Sequence, residues 1–177
     1  MESSKSGSVG KEVLGWVICI VSAIIIAVLL RIFVFELIRV DGSSMLPTLE
    51  DKQTIFVEKI SVKTHKIKRF DIIIVNYPGR DGEFVKRVVG MAGDRVEIKE
   101  GYLYVNDEKI EEDYTNDPVM YHDMEEIVVP EGHCFVMGDN RNNSLDSSST
   151  AVGPIAYEQI VGKAFFVIFP LNKIHGL

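Results

Sequence analysis

At 177 residues with 46% hydrophobic content, the chain is long enough for one packed domain with an appendage and too short for two full domains. A formal net charge of -7 speaks against a nucleic-acid surface, which needs clustered Lys and Arg. Cys19 and Cys134 lie in different surroundings, so no disulfide framework is implied.

In chain order, residues 1–10 (MESSKSGSVG) read as a polar, disordered tail. Val13 to Leu30 then runs without a charge, and IFVF follows the single Arg31. Such a stretch reaches about 27 Å as a helix, close to the ~30 Å hydrocarbon core of a bilayer, and Arg31 can snorkel so that residues 32–35 extend it. The run is too long for a secretory leader, and no small-x-small site follows it, so residues 13–35 are expected to be an uncleaved anchor. Lys5 and Lys11 before the span balance Arg31 and Arg39 after it, so charge counting leaves the topology open.

Short β-type runs follow at 54–60, 70–78, 83–91, 95–100, 102–107, 125–132, 133–138 and 161–170, separated by Gly, Pro, Asn and Asp. They predict a mainly β, antiparallel, barrel-like domain over residues 36–177, with a small insertion at about 101–130. A hairpin is expected to turn at Asn106-Asp107, and another turn at Gly93-Asp94. Outside the anchor, helical patterning is confined to 154–160. The acidic stretch 111–126 lacks calcium-loop spacing and reads as a solvated loop or hairpin edge.

The signatures of zinc proteases, redox dithiols, esterase elbows and nucleotide loops are absent, and the four histidines are scattered singly. Neither a metal nor a nucleotide cofactor is called for, and a serine enzyme built on this chain needs a base other than His. Three segments set small polar residues or a lysine among apolar neighbours: 40–49 (VDGSSMLPTL), 84–96 (FVKRVVGMAGDRV) and 138–148 (GDNRNNSLDSS). Singly, each has a bland reading as a Gly/Pro turn, a strand with an outward Lys, or a loop whose Asx side chains bond their own backbone. Lys86 is the most telling residue, because it interrupts a strand whose other members are Phe84, Val85, Val88 and Val89. Held in an apolar pocket, such a lysine would be neutral near pH 7.

Together, in this order and behind an N-terminal span, the three segments resemble the bacterial type I signal peptidases, in the short form of the Gram-positive branch. The resemblance covers nearly the whole chain. It implies a membrane-bound serine endopeptidase, with residues 1–12 cytoplasmic, a single pass through the bacterial cell membrane, and the catalytic domain outside. Carried over residue by residue, Ser44 is the nucleophile and Lys86 its general base, and Ser144 orients the lysine. The backbone N–H of Ser44 is one oxyanion donor, and the second is left between the backbone at Gly42 and Ser43. Arg87 and Asp146 are expected to give structural support, as a pair. The family's last motif usually continues Asp-Ser-Arg, whereas this chain reads Asp146-Ser147-Ser148.

The implied substrates are secreted preproteins cut after Ala-x-Ala-type sites, with the lipid bilayer as a further partner and the translocation machinery as a candidate one. Competing readings are a specialised peptidase for a single substrate, a self-cleaving Ser-Lys repressor, which the anchor disfavours, and a catalytically silent, membrane-tethered β-domain that binds preproteins.

Overall fold

The apolar run forms one continuous helix, α1 (Ser6–Phe33). The computed structural model describes residues 6–177. Residues 6–10, expected in the tail, are instead the first turns of α1, where helix already nucleated in the apolar run propagates into a polar stretch. The rest of that tail, residues 1–5, lies outside the described residues. Within α1, Gly10–Phe33 has a mean hydropathy of 3.0 over its most apolar part and no buried side chain there. Its 24 residues reach about 36 Å, enough to cross a bilayer with some tilt.

Contacts divide the chain after Phe35, and Glu36–Leu177 forms its own compact unit. It is built from β1 (Phe35–Arg39), β2 (Thr54–Glu58), a single helical turn α2 (Ile60–Lys63), β3 (Ile72–Asn76), β4 (Glu83–Gly90), β5 (Arg95–Lys99), β6 (Tyr102–Val105), β7 (Glu108–Lys109), β8 (Met124–Val128), β9 (His133–Met137), β10 (Ile155–Ala156), β11 (Ile160–Phe169) and β12 (His175–Gly176). The larger sheet runs β1-β2-β11-β3-β4-β9-β10 with β12 beside β11, and a smaller one runs β7-β6-β5-β8. The pairings among β2 to β12 are antiparallel, as the alternating runs and turn residues predict.

β3 reads Ile-Ile-Ile-Val because both its faces are covered. Ile72 and Ile74 pack with Met45, Leu49 and Val57, whereas Ile73 and Val75 pack on the other face with Val88 and Val136. A strand buried on both sides loses the polar half of the usual alternation. The smaller sheet adds a third cluster, in which Val96, Ile98 and Leu103 meet Val89 and Phe135. Gly90 permits that approach, since a Cβ there would lie 2.8 Å from the Val96 side chain.

The predicted turn at Asn106-Asp107 is present, with φ of 55° and 68°, the geometry of a tight two-residue hairpin turn. The helix expected at 154–160 is not. Ile155 and Ala156 pair with Cys134 and His133, and only a single 3-10 turn, Tyr157–Gln159, remains, because the sheet takes the backbone hydrogen bonds that a helix would need.

Candidate active site

Ser44 lies in the turn-rich segment between β1 and β2. Leu46 N–H donates to the Ser43 carbonyl and Leu49 N–H to that of Met45. Met45 and Leu49 are buried in the core, so they staple this segment down and leave Ser44 at the surface of the sheet. Lys86 is on β4, where its backbone faces Ile73 across the ladder.

The structure brings these two residues together: Lys86 Nζ lies 2.8 Å from Ser44 Oγ. The amine also donates to the Val85 carbonyl at 3.0 Å. Lys86 is only 2% exposed, and burial pulls its pKa down from 10.5 to about 8, with the nearby charges of Asp146 and Asp139 acting in the opposite sense. Desolvation outweighs both carboxylates.

Ser144 follows a 3-10 turn, Arg141–Asn143. Its hydroxyl is buried and has no hydrogen-bond partner. It sits against Gly138: a Cβ on that glycine would come within 2.3 Å of Ser144 Oγ and 2.5 Å of the Ser44 carbonyl oxygen. Only glycine fits there.

Gly42 has φ +100°, and its N–H is spent on Asp51 Oδ1 at 2.8 Å. Ser43 is held from the other side of the site, its hydroxyl accepting from Asn143 Nδ2 at 2.9 Å and its carbonyl from Asn140 Nδ2 at 3.0 Å. Asn140 N–H donates to the Ser44 carbonyl at 3.0 Å. The Asn140 and Asn143 side chains therefore reach across to the Ser43–Ser44 segment, and that of Asn142 to Val119, instead of closing turns on their own backbone.

Arg87 does not pair with Asp146. Its Nε and Nη2 reach Asp139 at 2.9 and 2.7 Å, and Thr48 Oγ1 donates to the same carboxylate at 2.5 Å. Asp146, 1% exposed, accepts instead from Gly138 N–H at 2.9 Å and from the Ser148 hydroxyl at 2.8 Å. Ser148 thus occupies one lone pair of the carboxylate beside which the family usually carries an arginine. Asp139, Thr48 and Asn140 are the contributors that sequence reasoning did not single out. Their signal was their place inside the first and third motifs, without any mark of which partner each would take.

Beside Ser44 and Lys86 runs a groove of about 240 Å³ walled by Ile38 and Val40, by Met45, and by Phe84 and Val85, with Asp81 and Glu83 at its rim. Its walls come from β1 and β4, which β2, β11 and β3 separate in the sheet order. The larger sheet must curl into a half-barrel for both to face one groove.

Residues 13–169 match the family described as signal peptidase, peptidase S26. The chain belongs to that family, whose members are serine peptidases that remove signal peptides. It is 37% identical to the signal peptidase I of Bacillus licheniformis, over 98% of each chain. It is 40% identical to signal peptidase I T of Bacillus subtilis, over 91% of this chain and 88% of that one. A crystal structure of a signal peptidase I from Enterococcus faecalis matches 55% of this chain and 96% of its own, with 31% identity and a TM-score of 0.48.

Proposed function

We propose that this chain cleaves signal peptides from secreted preproteins through a Ser44–Lys86 dyad, after sites with small residues at the first and third positions before the bond. The observation that carries this reading is the 2.8 Å approach of an almost wholly buried lysine amine to a serine hydroxyl, both in the wall of a groove that mixes apolar residues with Arg39, Asp41, Asp81 and Glu83.

In the reactive form Lys86 is neutral, and the Ser44 hydroxyl donates to its Nζ. As Oγ bonds to the scissile carbonyl carbon, the proton passes to the amine. Collapse of the tetrahedral intermediate breaks the C–N bond, and the leaving amine takes the proton from the Lys86 ammonium. Water then attacks the acyl carbon, giving a proton to the same amine, the C–Oγ bond breaks, and the Lys86 ammonium returns the proton to Ser44 Oγ. The developing oxyanion meets the Ser44 N–H, and because the Gly42 N–H is already committed to Asp51, Ser43 is the better second donor. Ser144, a buried hydroxyl without a hydrogen-bond partner, would accept from the lysine as it becomes charged if the two draw together during the reaction.

Substrate would enter as an extended strand. β9 pairs with β4 only over Arg87–Gly90, which leaves the Glu83–Lys86 edge open on that side. A segment laid along this edge would make backbone hydrogen bonds, with alternate side chains pointing into the groove, where Ile38 and Val85 leave room for small ones. Arg87 and Asp146 support the arrangement from beneath. α1 would anchor the enzyme in the cell membrane, N-terminus inside and catalytic unit outside, beside the membrane-embedded signal peptides.

The test is incubation of the full-length protein in detergent with a preprotein bearing an Ala-x-Ala site, the cut being located by mass spectrometry. Cleavage at that site, lost in both Ser44→Ala and Lys86→Ala, supports the dyad. Activity that survives Lys86→Ala would require another base.

A further inference from the structure

The acidic segment 111–126 is no mere solvated loop. Arg141 and Glu112 have side chains 0% and 2% exposed. They form a two-pronged ion pair, Nη1 donating to Oε2 at 2.7 Å and Nη2 to Oε1. Tyr114 O–H donates to Glu112 Oε1 at 2.8 Å, and its ring lies between two guanidinium groups, 4.2 Å from that of Arg87 and 5.8 Å from that of Arg141. Arg141 Nη2 also donates to the Tyr114 hydroxyl at 3.4 Å, and Nε to the Gly138 carbonyl at 3.1 Å.

Gly138 packs on the Ser44 carbonyl, and Asn140 binds the backbone of Ser43 and Ser44. A path of direct contacts therefore runs from Glu112 through Arg141 to the nucleophile, while Tyr114 touches the residue beside Lys86. A buried ion pair adds little net stability over an apolar pair of the same size, whereas its two charge-assisted hydrogen bonds are directional.

We propose that Glu112 is a positioning residue for catalysis, holding the 138–141 loop through Arg141 so that Ser44 stays within reach of Lys86. The inference rests on the reading of Ser44 as nucleophile.

The experiment measures kcat and KM of the full-length enzyme on an Ala-x-Ala preprotein, melting temperature, and hydrogen exchange of the Asn140 amide. Its variants are Glu112→Gln and the apolar pair Glu112→Leu/Arg141→Met, with Ser44→Ala as control. Glu112→Gln should lower kcat roughly ten- to a hundredfold, with KM within about twofold, and speed exchange at Asn140. It also strands a buried guanidinium, so it should melt earlier. The apolar pair removes that stranded charge and should regain the melting temperature while kcat stays low and Asn140 stays exposed to exchange.

Recovery of kcat along with melting temperature would make Glu112 purely structural and overturn the proposal, as would wild-type kcat and exchange in Glu112→Gln. Cleavage by Ser44→Ala would sink the dyad instead, and the Asn140 exchange would still decide whether Glu112 holds the loop.

Discussion

Lys86 sits where an ammonium is least welcome, so function and stability pull against each other at this one residue. Its pKa in the fold is about 8 against 10.5 ordinarily, so between those values the unfolded chain binds the extra proton. The cost of burying the charge is therefore fully present below pH 8 and is relieved as pH rises toward 10.5. Lys86→Met should stabilise the protein by roughly 1–3 kcal/mol at pH 7 while abolishing cleavage. The gap in melting temperature to the wild type should narrow when both are measured near pH 10. In the wild type, kcat/KM should rise about tenfold per pH unit below pH 8 and level off above it. A pH profile flat from 6 to 9 would separate Lys86 from the proton transfer. Gly138 gives a second test at this scale: an added Cβ meets the Ser44 carbonyl at 2.5 Å. Because that atom belongs to the backbone, Gly138→Ala should cost at least about a hundredfold in kcat, with a smaller loss in thermal stability.

At the scale of strands and loops, the proposed preference for small residues rests on two walls of one groove. Ile38 on β1 and Val85 on β4 pack partly on the core and partly line the groove. Ile38→Ala removes three carbons from one wall. Cleavage of a preprotein with Leu or Val before the scissile bond, relative to the Ala site, should rise by about tenfold or more, measured as the ratio of kcat/KM values. An unchanged ratio would place the selective contact elsewhere. The sequence made strands readable where turn residues bracket β-branched runs, as at Ile72–Asn76 and Glu83–Gly90. It hid β1, because FELIR directly follows the apolar helix and carries two charges in five residues. Motif order singled out Ser44 and Lys86, which lie 2.8 Å apart in the fold. The choice of Asp139 over Asp146 as the partner of Arg87 was not legible, since both acids stand in one loop and only the path of that loop past β4 decides between them. The tie from Glu112 to Arg141 was equally invisible, because a buried ion pair and a solvated acidic run look alike in one dimension.

Over the whole molecule, the division after Phe35 separates an element that fits a membrane anchor from a unit with its own core. Nothing in the described dyad, loop or groove draws on a residue before Ile38. The catalytic unit nonetheless carries apolar surface of its own, with Phe165, Phe166 and Phe169 exposed on β11 and Leu171 and Ile174 exposed just beyond it. Exposed apolar residues gathered at one end of a strand suit contact with lipid. A chain beginning at Val34, which keeps β1 whole, should therefore fold and cleave a soluble peptide substrate in detergent within a few-fold of the full-length rate. On a preprotein embedded in vesicles it should fall behind by a factor on the order of a hundred or more, because the anchor no longer confines enzyme and substrate to one surface. The two assays, run side by side at equal enzyme concentration, measure what tethering contributes. Equal losses in both would mean that the anchor shapes the site, and no loss in vesicles would mean that the apolar residues around β11 suffice to hold the enzyme at the membrane.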